Sequence, residues 1–219
     1  MIKLLDKVPK KITLCCSGGP DSMAALDFLT KGKRKISVLH FDHNTPHSKK
    51  GRVLVEGYCH KNRIHVTTHE IKEEPPAGLS LEAWWRDKRY EVINSLDGAV
   101  VTGHNLNDVA EWWIFTSLRG NPRLMPYRTR NVIKPFLLTK KADMEAWCKN
   151  NNIPYVIDPT NLGTRFARSR IRNNIMPEAL DVCPGFLGTI SKKIKDRQLS
   201  EKIASTDLAA ARETLKIVR

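Results

Sequence analysis

The chain lacks any run of about 18 apolar residues, the length a membrane-crossing helix requires, so no membrane span or membrane partner is expected. Its five cysteines (Cys15, Cys16, Cys59, Cys148 and Cys183) are odd in number and form no Cys-x-x-Cys pair. That spacing argues against a disulfide framework, a zinc knuckle and a Cys-ligated iron–sulfur site. Met1–Asp6 carries no apolar core of a secretory signal, and a reducing, cytoplasmic setting is the expectation. Internal repeats and low-complexity stretches are absent as well. Acid is the scarce charge. Asp and Glu number 23 against 37 Lys and Arg, a net charge of +14 with an isoelectric point near 9.7. An imbalance of that size points to a polyanionic partner, with nucleic acid first.

The scarcity is also local. From Trp112 to Ala142 there are seven basic residues (Arg119, Arg123, Arg128, Arg130, Lys134, Lys140, Lys141) and no acid. From Pro159 to Pro177 there are four arginines (Arg165, Arg168, Arg170, Arg172), again with no acid. A merely soluble surface intersperses both signs. Acid-free basic stretches read instead as phosphate-contacting surface.

What is present is a chain of 219 residues, 41% of them hydrophobic, enough to bury one real core. Apolar runs at Lys11–Cys16, Ile36–Phe41, Ile64–Thr68 and Ala99–Thr102 read as strands. Helical patterns fall between and after them, at about Ser22–Leu29, Gly51–Lys61, Leu81–Leu96 and Asp108–Arg119. Regular alternation of this kind means an α/β, Rossmann-like parallel sheet covered by helices on both faces. Residues 1–176 are expected to form the catalytic unit and residues 177–219 a basic helical tail.

The segment Ser17-Gly18-Gly19-Pro20-Asp21-Ser22 joins the first strand to its helix. Small residues let backbone approach a ligand closely, and the helix start beyond them offers free N–H groups and a positive dipole end. Pro20 suits the first helical turn, where its missing N–H costs nothing. The hydroxyls of Ser17 and Ser22 can add donors to phosphate oxygens, while Asp21 makes sense as a metal or hydroxyl partner. The Gly-Lys-Ser/Thr ending of the nucleoside triphosphatase P-loop is missing.

Here the chain resembles a known family. Ser-Gly-Gly-x-Asp-Ser after the first strand is the signature of the N-type ATP pyrophosphatases, or PP-loop enzymes, and the likeness is strongest to the tRNA(Ile)-lysidine synthetases. His40-Phe41-Asp42-His43, Glu82-Ala83-x-x-Arg86-x-x-Arg89-Tyr90 and Gly103-His104-x-x-x-Asp108-x-x-Glu111 are similar to motifs of that family. So are Leu118-Arg119-Gly120, Lys134-Pro135-Phe136-Leu137, Asp158-Pro159-Thr160-Asn161 and Arg168-Ser169-Arg170-Ile171-Arg172. They follow in order from about residue 12 to residue 180. Three departures stand out: Asn44-Thr45-Pro46 replaces a segment that usually carries an arginine, Lys134 replaces an arginine, and Gly163 replaces an aspartate. Further C-terminal domains, which help relatives grip tRNA, have no counterpart in the stretch after Pro177.

The resemblance implies ATP and Mg²⁺ as cofactors, with tRNA (the isoleucine tRNA bearing a CAU anticodon) and free lysine as partners, and it is compatible with a homodimer. It implies adenylation of the wobble cytidine's C2 oxygen, followed by attack of the lysine ε-amine. It assigns ATP binding to Ser17, Gly18, Gly19, Pro20, Asp21, Ser22, Phe41, Gly103 and His104, and catalysis to Asp42, Arg86, Arg89 and Asp108. His43, Glu82 and Glu111 anchor the substrate, Asp21 and Asp108 contact Mg²⁺ through ATP, and Arg119, Arg128, Arg130, Arg168, Arg170 and Arg172 hold RNA. On sequence grounds Asp108 also serves as the N-cap of its helix, Trp84 and Trp85 belong to the core, His40 and His69 are ordinary, and Cys15 and Cys16 are inert packing. The alternatives are another PP-loop base modification such as thiolation, and a catalytically silent RNA-binding relic.

Overall fold

Strands β1 (Lys11–Cys15), β2 (Lys35–Asp42), β3 (His65–Glu70), β4 (Val100–Thr102), β5 (Arg128–Thr129) and β6 (Val132–Ile133) form one sheet in the order β3-β2-β1-β4-β6-β5. All neighbours run parallel except β5 against β6. The structure is a computed structural model describing residues 1–157, 163 and 167–217, with the side chains of Glu82 and residues 205–217 outside the description. The Asp158–Asn161 motif and Arg165 lie outside the described residues.

Period-2 alternation sorts the strands' side chains between two apolar layers. Leu14, Val38, Val101 and Ile133 pack on one face against α1 (Pro20–Lys31), α2 (Pro46–Lys61) and α5 (Lys141–Asn150). Leu39, Phe41, Val100 and Val132 pack on the other, beneath α3 (Leu81–Asn94). A third cluster joins α4 (Leu106–Ser117) to the first part of α8 (Phe186–Ile217), which follows α6 (Ala167–Arg170) and α7 (Met176–Val182), through Leu106, Val109, Ile114, Leu187, Ile190 and Ile194. The stretch after residue 177 is therefore not set apart at its start, since the opening turns of α8 share a core with α4.

Two helices differ from the sequence reading. Helix α2 begins at Pro46 rather than Gly51, because Thr45 and Ser48 form a reciprocal capping box and Pro46 occupies the first turn. Helix α5, together with β5 and β6, has no counterpart in that reading. The N-terminus of α5 lacks a side-chain cap of its own. The Lys141 amide donates instead to Asn107 Oδ1 at 3.0 Å, in the first turn of α4.

The strand order reverses at β1, whose next two strands in sequence lie to one side and β4 to the other. In open α/β sheets, ligands bind outside the carboxyl ends of strands at such a switch point. The segment from Ser17 to Ser22 and the segment from Gly103 to Asp108 both open there.

Candidate active site

The Ser17–Ser22 turn is built to expose backbone. Gly18 has φ of +86°, and a Cβ there would sit 2.9 Å from Gly51 Cα. A Cβ on Gly51 would lie 2.7 Å from the Ser17 carbonyl oxygen, so both positions need glycine for α2 to back the turn. Ser22 Oγ accepts from the Ser17 amide at 3.1 Å and donates to the Gly19 carbonyl at 3.0 Å. The Val156 amide donates to the Gly18 carbonyl at 2.9 Å. Gly103 brings the end of β4 against α1, because a Cβ there would meet the Asp21 carbonyl at 3.2 Å. The loops after β1 and β4 thus touch, as the switch point requires.

Asp21 and Asp108 face each other across this junction. One Asp21 carboxylate oxygen is buried with no hydrogen-bond partner. Burial, with repulsion from Asp108, pushes the Asp21 carboxyl up to about 7, against the opposing pull of Lys141 and Asn105. Asp108 is not the N-cap of α4. That position belongs to Asn105, which accepts from the Asn107 and Asp108 amides. Asp108 instead closes the capping box through its Oδ2, leaving Oδ1 for a long contact of 3.5 Å to Arg172 Nη2.

Glu111 is 4% exposed and accepts from Arg172 Nε and Nη2, both at 2.8 Å. Burial raises its carboxyl, and the Arg172 pair offsets this only in part. Arg172 therefore serves inside the site rather than on an RNA-facing surface, and Glu111 is already paired. A π-helical turn at Ile171–Ile175 presents this arginine. His104 accepts or shares a proton with Thr102 Oγ1 at 2.8 Å. Burial, reinforced by Lys134, Arg168 and Arg89, pushes its imidazole down to about 4.

On the β2 side, the structure gives two residues different work from that expected. Asp42 is 3% exposed, and its Oδ1 accepts from the Asn44 amide at 2.9 Å and from Ser48 Oγ. Burial opposes the charge, but these hydrogen bonds and Arg52 outweigh it and hold the carboxyl low. Asp42 therefore anchors the start of α2 instead of facing a substrate. Phe41 is 8% exposed and packs in the apolar layer under α3, edge-on to His69 at 6.0 Å, rather than lining a nucleotide site.

His43 stacks on Trp85 with ring centroids 4.5 Å apart, so Trp85 edges the site as well as its core. Burial, with the nearby Arg89 charge, pushes His43 down to about 4. Arg89 acts electrostatically on Cys15, His43 and His104 together, which places its charge at the mouth of β1, β2 and β4. Arg86 lies over the Tyr90 ring at 5.3 Å. Glu82 sits in the first turn of α3, its side chain outside the described residues. Arg119 packs on Phe115, and Arg128, Arg130 and Arg170 are exposed away from the loop junction.

Two positions that the sequence reading leaves without a site role stand out for their burial. His40 is 1% exposed, and its Nδ1 lies 2.8 Å from the Cys16 carbonyl, clamping the base of the turn. Lys134 is 5% exposed at the end of β6, where burial and Arg86 push its ammonium down to about 8. The strict alternation of β2 was the available signal for His40, which falls on the face opposite Phe41. For Lys134, a lone cation inside the apolar run Val132–Leu138 was the signal.

Among the described residues no group of three or more His, Cys, Asp or Glu side chains is placed to hold a metal ion. No helix is long and apolar enough to cross a membrane among those residues.

Residues 2–179 match the PP-loop domain family. The chain is 31% identical over 190 residues to a tRNA(Ile)-lysidine synthase of Thermotoga maritima, covering 79% of this chain and 46% of that protein. It is 31% identical over 229 residues to the enzyme of that name from Buchnera aphidicola, covering 92% and 51%. The chain spans about half the length of the curated relatives it matches. Among solved structures, a U34-tRNA thiolase from Methanococcus maripaludis with a [4Fe-4S] cluster superposes with a TM-score of 0.70. That match is at 15% identity and covers 87% of this chain and 72% of the other. It supports the fold.

Proposed function

The chain belongs to the PP-loop family, and on that premise we propose that it is an ATP-dependent tRNA-modifying ligase of the lysidine-forming type. The observation that carries the proposal is the pairing of the Ser17–Ser22 backbone turn with the Asp21 carboxylate, one oxygen of which is buried without a hydrogen-bond partner, beside Asp108. A buried acid held near 7 beside a second acid favours a cation between them. Mg²⁺ fits it, since this ion commonly takes one or two carboxylates and completes its shell with phosphate oxygens and water. Asp21 and Asp108 would hold it, and when bound it supplies charge neutralisation at the nucleotide phosphates.

This chain's own groups account for the rest of the chemistry. The backbone N–H groups of Gly18, Gly19 and Asp21, with Pro20 contributing none, and the α1 dipole bind the β- and γ-phosphates. Arg86 and Arg89 stabilise charge developing at the α-phosphate as the C2 oxygen of cytidine attacks and pyrophosphate leaves. Adenylation comes first because a carbonyl oxygen is a poor leaving group, whereas a phosphate monoester departs readily. The lysine ε-amine then bonds to C2, the C2–O bond breaks, and AMP departs. That amine attacks only when neutral, so a carboxylate must take its proton. We assign this role to Asp108, whose Oδ1 makes only a long 3.5 Å contact to Arg172, whereas Asp42 is held by two hydrogen bonds and Glu111 by a two-point pair with Arg172. The acid-poor surface carrying Arg119, Arg128, Arg130, Arg168 and Arg170 supplies contacts to the RNA backbone.

The test is to incubate the chain with unmodified isoleucine tRNA bearing a CAU anticodon, ATP and labelled lysine, then digest the RNA for nucleoside analysis. Labelled lysidine is expected. ATP–pyrophosphate exchange without lysine incorporation would redirect the reading to another nucleophile. Failure of both reactions would leave an RNA-binding relic.

A further inference from the structure

Register places Cys15 of β1 beside Thr102 of β4. Val101 of β4 lies beside Ile133 of β6, so Lys134 continues that register next to Thr102. Alternation puts Cys15, Thr102 and Lys134 in one row on the sheet face that α3 covers. Helix α3 packs on this layer through Trp85 and Tyr90, and its Arg86 and Arg89 lie close enough to act electrostatically on Lys134 and on Cys15. The groups facing Lys134 come from three elements. They are Arg86 on α3, Thr129 Oγ1 on β5 at 3.4 Å, and His104 on the loop after β4. His104 is neutral at physiological pH because its imidazole sits near 4. Among the described residues no carboxylate pairs with Lys134. Among the described residues this 5%-exposed ammonium has one side-chain hydrogen bond, a long one, with a second cation beside it and no anion to balance its charge.

We propose that Lys134 is a phosphoryl-anion ligand, the deepest member of a second anion subsite that it forms with Arg86 and Arg89 on the α3 side of the crevice. The subsite is distinct from the Ser17–Ser22 cradle. Lys134 lies two strands from β1, a lateral offset of about 9.5 Å at ordinary strand spacing, so the subsite is centred on a different strand from the cradle. The ligand is a phosphate monoester or diester, supplied by the adenylyl group or by the RNA backbone. This inference rests on the proposed function for the identity of those two sources, and it adds a residue and a proton count to it. An anion landing on Lys134 restores the ordinary basicity of its ammonium, so binding takes up a proton above pH 8. Affinity must then fall as pH rises from 8 towards 10. With a free value of about 8 and a bound value near 10, the loss between pH 7 and pH 9 is about tenfold.

The experiment measures binding of AMP, and separately of an RNA hairpin with a CAU loop, to the full chain at pH 7, 8 and 9. The native chain is compared with Lys134→Arg and Lys134→Met. The expected result is a steep pH dependence for at least one ligand in the native chain. Lys134→Arg should keep the affinity and flatten that dependence, and Lys134→Met should lose affinity at pH 7. Should Lys134→Met fail to fold, the flattened profile of Lys134→Arg still decides. Dependence in the AMP arm identifies the adenylyl phosphate, and dependence in the hairpin arm identifies the backbone. Profiles identical in native and variant chains would overturn the subsite while leaving the proposed function intact. A native chain that binds neither ligand would overturn both.

Discussion

Replacing Asp21 by asparagine should make the protein more stable and inactive at once. The Asp21 carboxyl is held at about 7, against 3.8 for the free group, by burial and by Asp108. Because its folded-state value is raised, the unfolded chain gives up this proton first, and stability drains away as pH climbs from 3.8 towards 7. Integrating the two titration curves between pH 5 and pH 8 gives a loss on the order of 2–3 kcal/mol attributable to this group. Asparagine does not titrate, so the stability gap between Asp21→Asn and the native chain should widen by that amount over the same range. For a domain of this size the widening corresponds to about 5–10 °C in Tm. Thermal unfolding without nucleotide or metal, in a series of buffers from pH 5 to pH 8, measures it. The native chain should recover part of the gap when Mg²⁺ and ATP are added, whereas Asp21→Asn should respond far less and show no ATP–pyrophosphate exchange. Parallel Tm profiles for the two chains across this range would refute the electrostatic account, and with it the reason for placing a cation beside Asp21.

Arg172→Met should destabilise the fold by about 3–5 kcal/mol in urea unfolding, because it strands the 4%-exposed Glu111 without its cation. Adding Glu111→Gln to that variant should recover much of the loss. Gly51→Ala should raise the KM for ATP with far-ultraviolet circular dichroism unchanged, because the new Cβ pushes on the Ser17 carbonyl from 2.7 Å. A wild-type KM would mean that the cradle adapts. Neutralising Arg128 and Arg130 together should flatten the salt dependence of tRNA binding by about one to two units of slope. An unchanged slope would remove both from the RNA surface.

The turn at Ser17–Ser22 was legible because strand, small residues and helix follow one another within a dozen positions, and each local preference agrees with the fold. The catalytic role that the resemblance implies for Asp42 meets a helix boundary the sequence places too late. With α2 taken to start at Gly51, the residues from Asn44 to Lys50 read as a loop, and an aspartate before a loop looks free to act. Thr45, Pro46 and Ser48 start the helix five residues earlier, and the same aspartate becomes its anchor. Asp108 shows the converse error. With the helix starting at about Asp108 that residue reads as its cap, but Asn105 three residues earlier holds the position and makes Asp108 its partner. Strand β6 was invisible for a different reason. Two residues show no period, and only pairing with Val100 and Val101 makes Val132 and Ile133 a strand.

That last pairing decides how the crevice is divided. One face of the sheet carries His40 beneath the cradle, with Gly51 of α2 packed against it, and both shape its backbone. The other face carries Lys134, with Arg86 and Arg89 close to it, and Asp21 and Asp108 stand on the line between the two. A nucleotide entering such a field is oriented before any specific contact forms. Its metal-bound end is drawn to the acids and the backbone amides, and the phosphoryl group that must be transferred is drawn to the cations. Reversing the molecule would set phosphates unscreened by metal against two carboxylates, which at close range in a partly dry crevice costs several kcal/mol. Charge placement alone therefore favours one polarity of binding.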